Sequence, residues 1–175
     1  MKLKSRPAAG DKPPANIASL SSKDAWLKIC AYCAYQERSR TEIMEKMRHY
    51  GLGQEAGQEL MNRLEQENFY SEQRFANAYA GGKFRMLHWG KLKIKQGLRA
   101  NGVGLAEIKV AFEQEIPEED YVDGLQRLIE RKENTLTEAS PMLRKQKLIS
   151  YALGKGYELD LVLDILGTEL VALRA

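Results

Sequence analysis

Cysteine pairs, glycine-rich turns, histidines and carboxylates do chemistry only at particular spacings, and this chain offers candidates of each kind. Cys30-Ala31-Tyr32-Cys33 has the C-x-x-C spacing. A zinc site would need two further ligands, yet no second such pair occurs, and His49 and His88 are the only histidines. A thiol redox motif would follow a strand. Here Trp26, Ile29, Cys30 and Cys33 recur at helical spacing, which places both thiols on the buried face of a helix. Gly51-Leu52-Gly53 and Gly102-Val103-Gly104 extend neither to a dinucleotide fingerprint nor to a P-loop, and read as helix ends. Neither histidine lies near a nucleophile-elbow pattern. The carboxylates from Glu113 to Asp123 form a solvated charge run, with no pair whose burial would separate an acid from a base. The residues therefore predict no catalytic group, no metal and no cofactor, and a protein that is not an enzyme.

The informative chemistry is cationic. Lys83-Phe84-Arg85, His88-Trp89 and Lys91-Leu92-Lys93-Ile94-Lys95 lead to Arg99. On a helix starting near Gly90, Lys91, Lys95 and Arg99 lie four apart and share a face, with Leu92, Ile94 and Leu98 turned toward a core. Lys83, Arg85, His88 and Trp89 sit at its mouth. Cations around an aromatic suit phosphates and bases, or an acidic protein groove. The plainer alternative is a solvated helix face with Trp89 as a core residue joining modules. Between Lys83 and Lys109 seven basic residues face one acid, whereas between Val110 and Ser140 nine acids face three bases. The net charge is only +3, from 27 basic and 24 acidic residues, so distribution matters more than the sum.

Helices must position these groups. The chain has 175 residues, 43% hydrophobic and 29% charged, with two cysteines. That size supports a real core and excludes collagen-like, low-complexity and disulfide-scaffold classes. The longest apolar stretch, Leu159 to Leu170, is broken by Asp160, Asp164 and Glu169, so no membrane span is expected. The basic N-terminus lacks the apolar segment of a secretory signal, which predicts a cytoplasmic protein. Residues 1–21 carry Pro7, Pro13 and Pro14 and read as a disordered basic tail. No further proline occurs before Pro117, and apolar residues recur at helical spacing throughout, so the fold class is all-α. Ser39-Arg40-Thr41-Glu42 has the capping-box pattern, and Ser140-Pro141 a serine cap before a first-turn proline. Gly51, Gly102 and Gly156 each follow a short amphipathic helix and precede another, at intervals of 51 and 54 residues. That period indicates stacked modules at 22–80, 83–132 and 140–175, three tandem three-helix repeats in an elongated, solenoid-like body. Breaks are expected at Gly81-Gly82 and at 134–140.

With these elements in place, the chain resembles a known family. Asn68-Phe69-Tyr70-Ser71-Glu72-Gln73-Arg74-Phe75-Ala76, with Tyr79, resembles the junction of the first two repeats of the RecX regulatory proteins. Lys83-Phe84-Arg85, Trp89-Gly90-Lys91-Leu92-Lys93-Ile94 and Leu98 to Val103 are similar to that family's second repeat. Ser39 to Ile43 through Gly51 is similar to its first, and Lys145 to Leu148 through Lys155-Gly156-Tyr157 to its third. The resemblance covers residues 24–173. It departs at Ala80-Gly81-Gly82, where a bend or early helix end is expected, and at Asn101, where relatives are often basic. It implies a modulator of the RecA recombinase that binds in the groove of the RecA–DNA filament, blocks its growth or promotes its disassembly, and lowers ATPase and strand exchange. The expected contact surface is Lys83, Arg85, Lys91, Lys95 and Arg99, with His88 and Trp89. The expected partners are the RecA filament and single-stranded DNA, directly or through the filament, with no membrane and a monomeric chain. The competing expectation is a helical protein that binds nucleic acid without RecA.

Overall fold

The computed structural model describes residues 20–167, and these contain nine helices and no strand. They are α1 (Ser22–Tyr35), α2 (Arg40–His49), α3 (Gln54–Gln66), α4 (Glu72–Leu87), α5 (Lys91–Ala100), α6 (Leu105–Glu115), α7 (Glu118–Glu133), α8 (Pro141–Lys155) and α9 (Leu159–Ile165). The expected tail lies outside the described residues except for Leu20 and Ser21, and Ser21 caps α1 by accepting from the Asp24 N–H. The end of the apolar stretch from Leu159 to Leu170 also lies outside them.

Two compact units divide between Tyr70 and Ser71. The first holds α1 to α3 around Ile29, Ile43, Met47, Met61 and Leu64. Ser39 and Glu42 form the capping box: the Glu42 N–H donates to Ser39 Oγ at 3.1 Å and the Ser39 N–H to Glu42 Oε2 at 2.8 Å. The second unit holds α4 to α9 around one continuous core that includes Phe84, Ile94, Leu98, Tyr121, Leu125, Tyr157 and Leu163.

The three glycines end their helices alike. Gly51, Gly102 and Gly156 have φ of 79°, 85° and 91°, the left-handed region that glycine enters without steric cost. After each, the next N–H (Leu52, Val103, Tyr157) donates to the carbonyl five residues back, on Met47, Leu98 and Ala152. Val103 and Tyr157 are each 1% exposed, the apolar contact that completes this type of helix end. The repeat is thus a shared turn chemistry.

The helices group one step earlier than the modules 22–80, 83–132 and 140–175 suggest. α4 packs along α6 and α5, and α7 packs on α8 and α9. No break occurs at Gly81-Gly82, because α4 runs through both. Gly81 is buried, and a Cβ there would collide with the Arg85 guanidinium and the Glu115 carboxylate. The glycine makes room for an ion pair between α4 and α6. The expected break at 134–140 does separate α7 from α8.

A candidate cationic surface and an adjoining cleft

Every residue of the expected contact surface lies in the second unit, but they do not form one free basic face. Arg85, on α4, directs both Nη atoms at Glu115 Oε2, each at 3.1 Å. Lys91, at the start of α5, reaches Glu118 Oε2 at 2.7 Å and lies 4.3 Å over the Tyr121 ring. The acidic stretch that follows the basic one in sequence folds back and neutralises part of it. Lys95 and Arg99 remain exposed on α5, and Arg99 Nη1 also donates to the Val103 carbonyl at 3.1 Å. Leu92 is 53% exposed, contrary to its expected core position, because α5 is only ten residues long and buries Ile94 and Leu98 alone.

Trp89 is half-buried against the core, with the Lys83 ammonium 5.1 Å and the Lys93 ammonium 4.7 Å from its ring. Lys83 also stands 5.1 Å from the Tyr79 ring. Lys93 was not among the expected contacts. Its Nζ donates to the Gly154 carbonyl at 3.1 Å, a partner that helical spacing cannot reveal.

The start of α5 is held by the far end of the unit. The Gly90 N–H donates to the Lys155 carbonyl at 2.8 Å, the Lys91 N–H to Tyr121 Oη at 2.9 Å, and the Leu92 N–H to the Gly156 carbonyl at 3.1 Å. Three amide groups that a helix start leaves unpaired thus meet partners from α7 and α8, two of them carbonyls that a helix end leaves unpaired. The Tyr121 O–H in turn donates a hydrogen bond to Glu158 Oε2 at 2.6 Å. Burial, and then that bond to Glu158, push its phenol far above the ordinary range. It is a fixed donor and not an acid–base group.

Beside this junction lies a cleft of about 460 Å³ between α4, α7 and Tyr157. Phe84, Arg85 and His88 line it from α4, and Asp120, Gly124, Arg127, Glu130 and Arg131 from α7. His88 ends α4 in the left-handed region at φ 53°. Burial, and then the positive fields of Arg131, Lys155 and Arg127, lower its pKa. Tyr157 is 1% exposed, and its hydroxyl has no hydrogen-bond partner among the described residues. Burial, and then Glu158, push its phenol up to about 12 against the opposing field of Arg131. Arg127, Arg131 and Tyr157 escaped the sequence reading. Gly124, Arg127 and Arg131 do lie at helical spacing, and that was the available signal.

Cys30 and Cys33 belong to the first unit. Burial, and then Cys30, push the Cys33 thiol up to about 11. Burial, and then Glu67, also raise Cys30. Both thiols are therefore held protonated, the poor nucleophilic and ligating form. No group of three or more His, Cys, Asp or Glu side chains that could hold a metal occurs among the described residues, and no helix among them is long and apolar enough to cross a membrane.

Helices in threes, joined by shared glycine turns and presenting fixed charges, define a protein of tandem three-helix domains. The second three-helix domain of RecX matches residues 71–111, and its third matches residues 118–166. The chain belongs to the RecX family. Regulatory protein RecX of Bacillus cytotoxicus is 28% identical over 138 residues, covering 79% of this chain and 51% of the relative, and that of Bacillus mycoides gives the same values. This chain thus spans about half the length of the curated relatives it matches. Among solved structures, RecX from Lactobacillus salivarius superposes with a TM-score of 0.75 at 20% identity, over 83% of this chain and 94% of that one. A second regulatory protein RecX gives 0.76 at 20% identity, over 83% and 73%.

Proposed function

We propose that this chain is a non-enzymatic regulator that binds the RecA–DNA filament and restrains its growth, ATPase and strand exchange. The match of α4 to α9 to the second and third RecX domains carries the reading. The cations of α4 and α5 support it. Lys95 and Arg99 face solvent, and the Lys83–Trp89–Lys93 cluster adds a cation-bearing aromatic on the same unit. Their role is electrostatic: steering toward a polyanionic filament, then charge-assisted hydrogen bonds to phosphates or acidic side chains. Arg85 and Lys91 contribute only where the partner outcompetes Glu115 and Glu118, and His88 where protonation accompanies binding.

The test is single-stranded-DNA-dependent ATP hydrolysis by the cognate RecA, titrated with this protein. Hydrolysis is expected to fall at substoichiometric amounts. Reversal of two exposed charges, Lys95→Glu with Arg99→Glu, is expected to raise the half-inhibitory concentration roughly ten-fold while helicity is kept. Undiminished hydrolysis with folded protein would sink the reading. Tight binding to single-stranded DNA without RecA would then make direct nucleic-acid binding the function.

A further inference from the structure

We propose that the cleft between α4, α7 and the α8–α9 turn is a binding site for a phosphoryl group. The buried Tyr157 hydroxyl points to a missing oxygen. It is a strong donor with no partner among the described residues, in a side chain 1% exposed. Buried hydroxyls in folded proteins are nearly always paired, so an empty one on a side chain that lines a cleft calls for an acceptor from outside. The position of Gly124 opens the way to it. A Cβ there would lie 3.3 Å from the Phe84 ring and 3.8 Å from the Tyr157 hydroxyl, so any larger residue would narrow the floor.

The rim supplies the charge. Arg127 and Arg131 stand one turn apart on α7, exposed, with no ion-pair partner among the described residues. Arg131 Nε donates to the Arg127 carbonyl at 3.2 Å, which leaves its terminal nitrogens to bind an anion. Arg85 is held by Glu115, so Arg127 and Arg131 are the available fork donors. Asp120 and Glu130 also line the cleft, and they limit it to one anionic group rather than a run of them. At His88 the fields that register are cationic, from Arg131, Lys155 and Arg127. A tetrahedral oxyanion fits these donors: one oxygen accepts from the Tyr157 O–H and the others from the guanidinium forks. The phosphoryl group could belong to a small phosphorylated molecule or to a nucleic-acid backbone, which present the same oxygens.

The full chain is titrated with inorganic phosphate and with a short single-stranded thymidine oligonucleotide, followed by amide NMR, with sodium chloride at matched ionic strength as the blank. The amides of His88, Gly124, Arg127, Arg131 and Tyr157 are expected to move together and saturate, and the His88 imidazole pKa to rise. Arg127→Ala with Arg131→Ala should abolish these shifts and leave the helical signal unchanged. Tyr157→Phe should weaken binding roughly ten-fold, the worth of one charge-assisted hydrogen bond, without lowering the melting temperature in the absence of phosphate. Saturation by phosphate alone assigns the site to a small phosphorylated ligand. Tighter saturation of the same amides by the oligonucleotide assigns it to nucleic acid, and both outcomes uphold the site. Shifts that match the chloride blank, or that survive loss of both arginines, overturn it. No RecA is present, so this result is independent of the filament reading.

Discussion

His88 occupies a backbone position that glycine or asparagine usually takes, with φ 53° at the end of α4. Its imidazole is depressed below the ordinary value by burial and then by Arg131, Lys155 and Arg127. A base with a depressed folded-state pKa contributes stability that is present above the unfolded value, near 6.5, and lost as pH falls through the folded value. Stability should therefore decline as the medium is acidified below about pH 6.5. His88→Asn keeps a residue that tolerates the left-handed turn and removes the titration. Urea unfolding at pH 7 and pH 5 should show a smaller loss in the variant than in the wild type; an equal loss would mean that His88 is not the group responsible. At this scale the sequence was legible where a residue's role is set by its own helix. Cys33 and Ile94 are buried as their spacing requires, whereas Leu92 is exposed despite its spacing. Helical spacing says which residues share a face and leaves open how wide a strip of that face is covered.

The elements carry the clearest sequence record, in caps and turns. Ser39 with Glu42, and Ser140 before Pro141, sit at helix starts as read. Gly51, Gly102 and Gly156 all end helices as read, each in a left-handed turn. Other glycines were misread because their reason lies on a different helix. Gly81 and Gly82 look like a helix break, yet Gly81 serves the Arg85–Glu115 pair and α4 continues. Gly90 looks like a simple helix start, yet a Cβ there would strike the Gly156 carbonyl and the Tyr157 amide. Two alanine substitutions separate these roles. Gly90→Ala should destabilise the protein by about 1–3 kcal/mol through overpacking of the α5–α8 junction. Gly82→Ala meets nothing within 4 Å and should stabilise it by about 0.5–1 kcal/mol through helix propensity. Chemical denaturation of both variants checks the pair; equal effects would refute the assigned contacts.

For the molecule as a whole, charge is the property that folding rearranged most. The sequence separates a basic segment from an acidic one, and the fold pairs part of each with the other through Arg85–Glu115 and Lys91–Glu118. On α5, Lys91 is ion-paired with Glu118, and Lys93 and Arg99 each donate to a backbone carbonyl, so direct affinity for single-stranded DNA should depend only shallowly on salt. With two phosphates neutralised, log K should fall with log salt at a slope of about −1.4. A filter-binding or anisotropy series in sodium chloride measures it, and a slope several times steeper would mean that a larger basic face is engaged. The sequence by itself determined the helical class, the caps, the glycine turns and the family, because each rests on hydrogen bonds or apolar spacing within a few residues. Only the tertiary structure decided which cations are ion-paired, what encloses Trp89, how α5 is held, and that the Tyr157 hydroxyl has no partner among the described residues. Those facts join residues 27, 30, 61 and 68 positions apart, at the Lys91–Glu118, Arg85–Glu115, Lys93–Gly154 and Lys155–Leu87 contacts. Periodicity within a helix fixes its apolar stripe, while the side chains of its neighbours, brought in by packing, determine what each polar group meets.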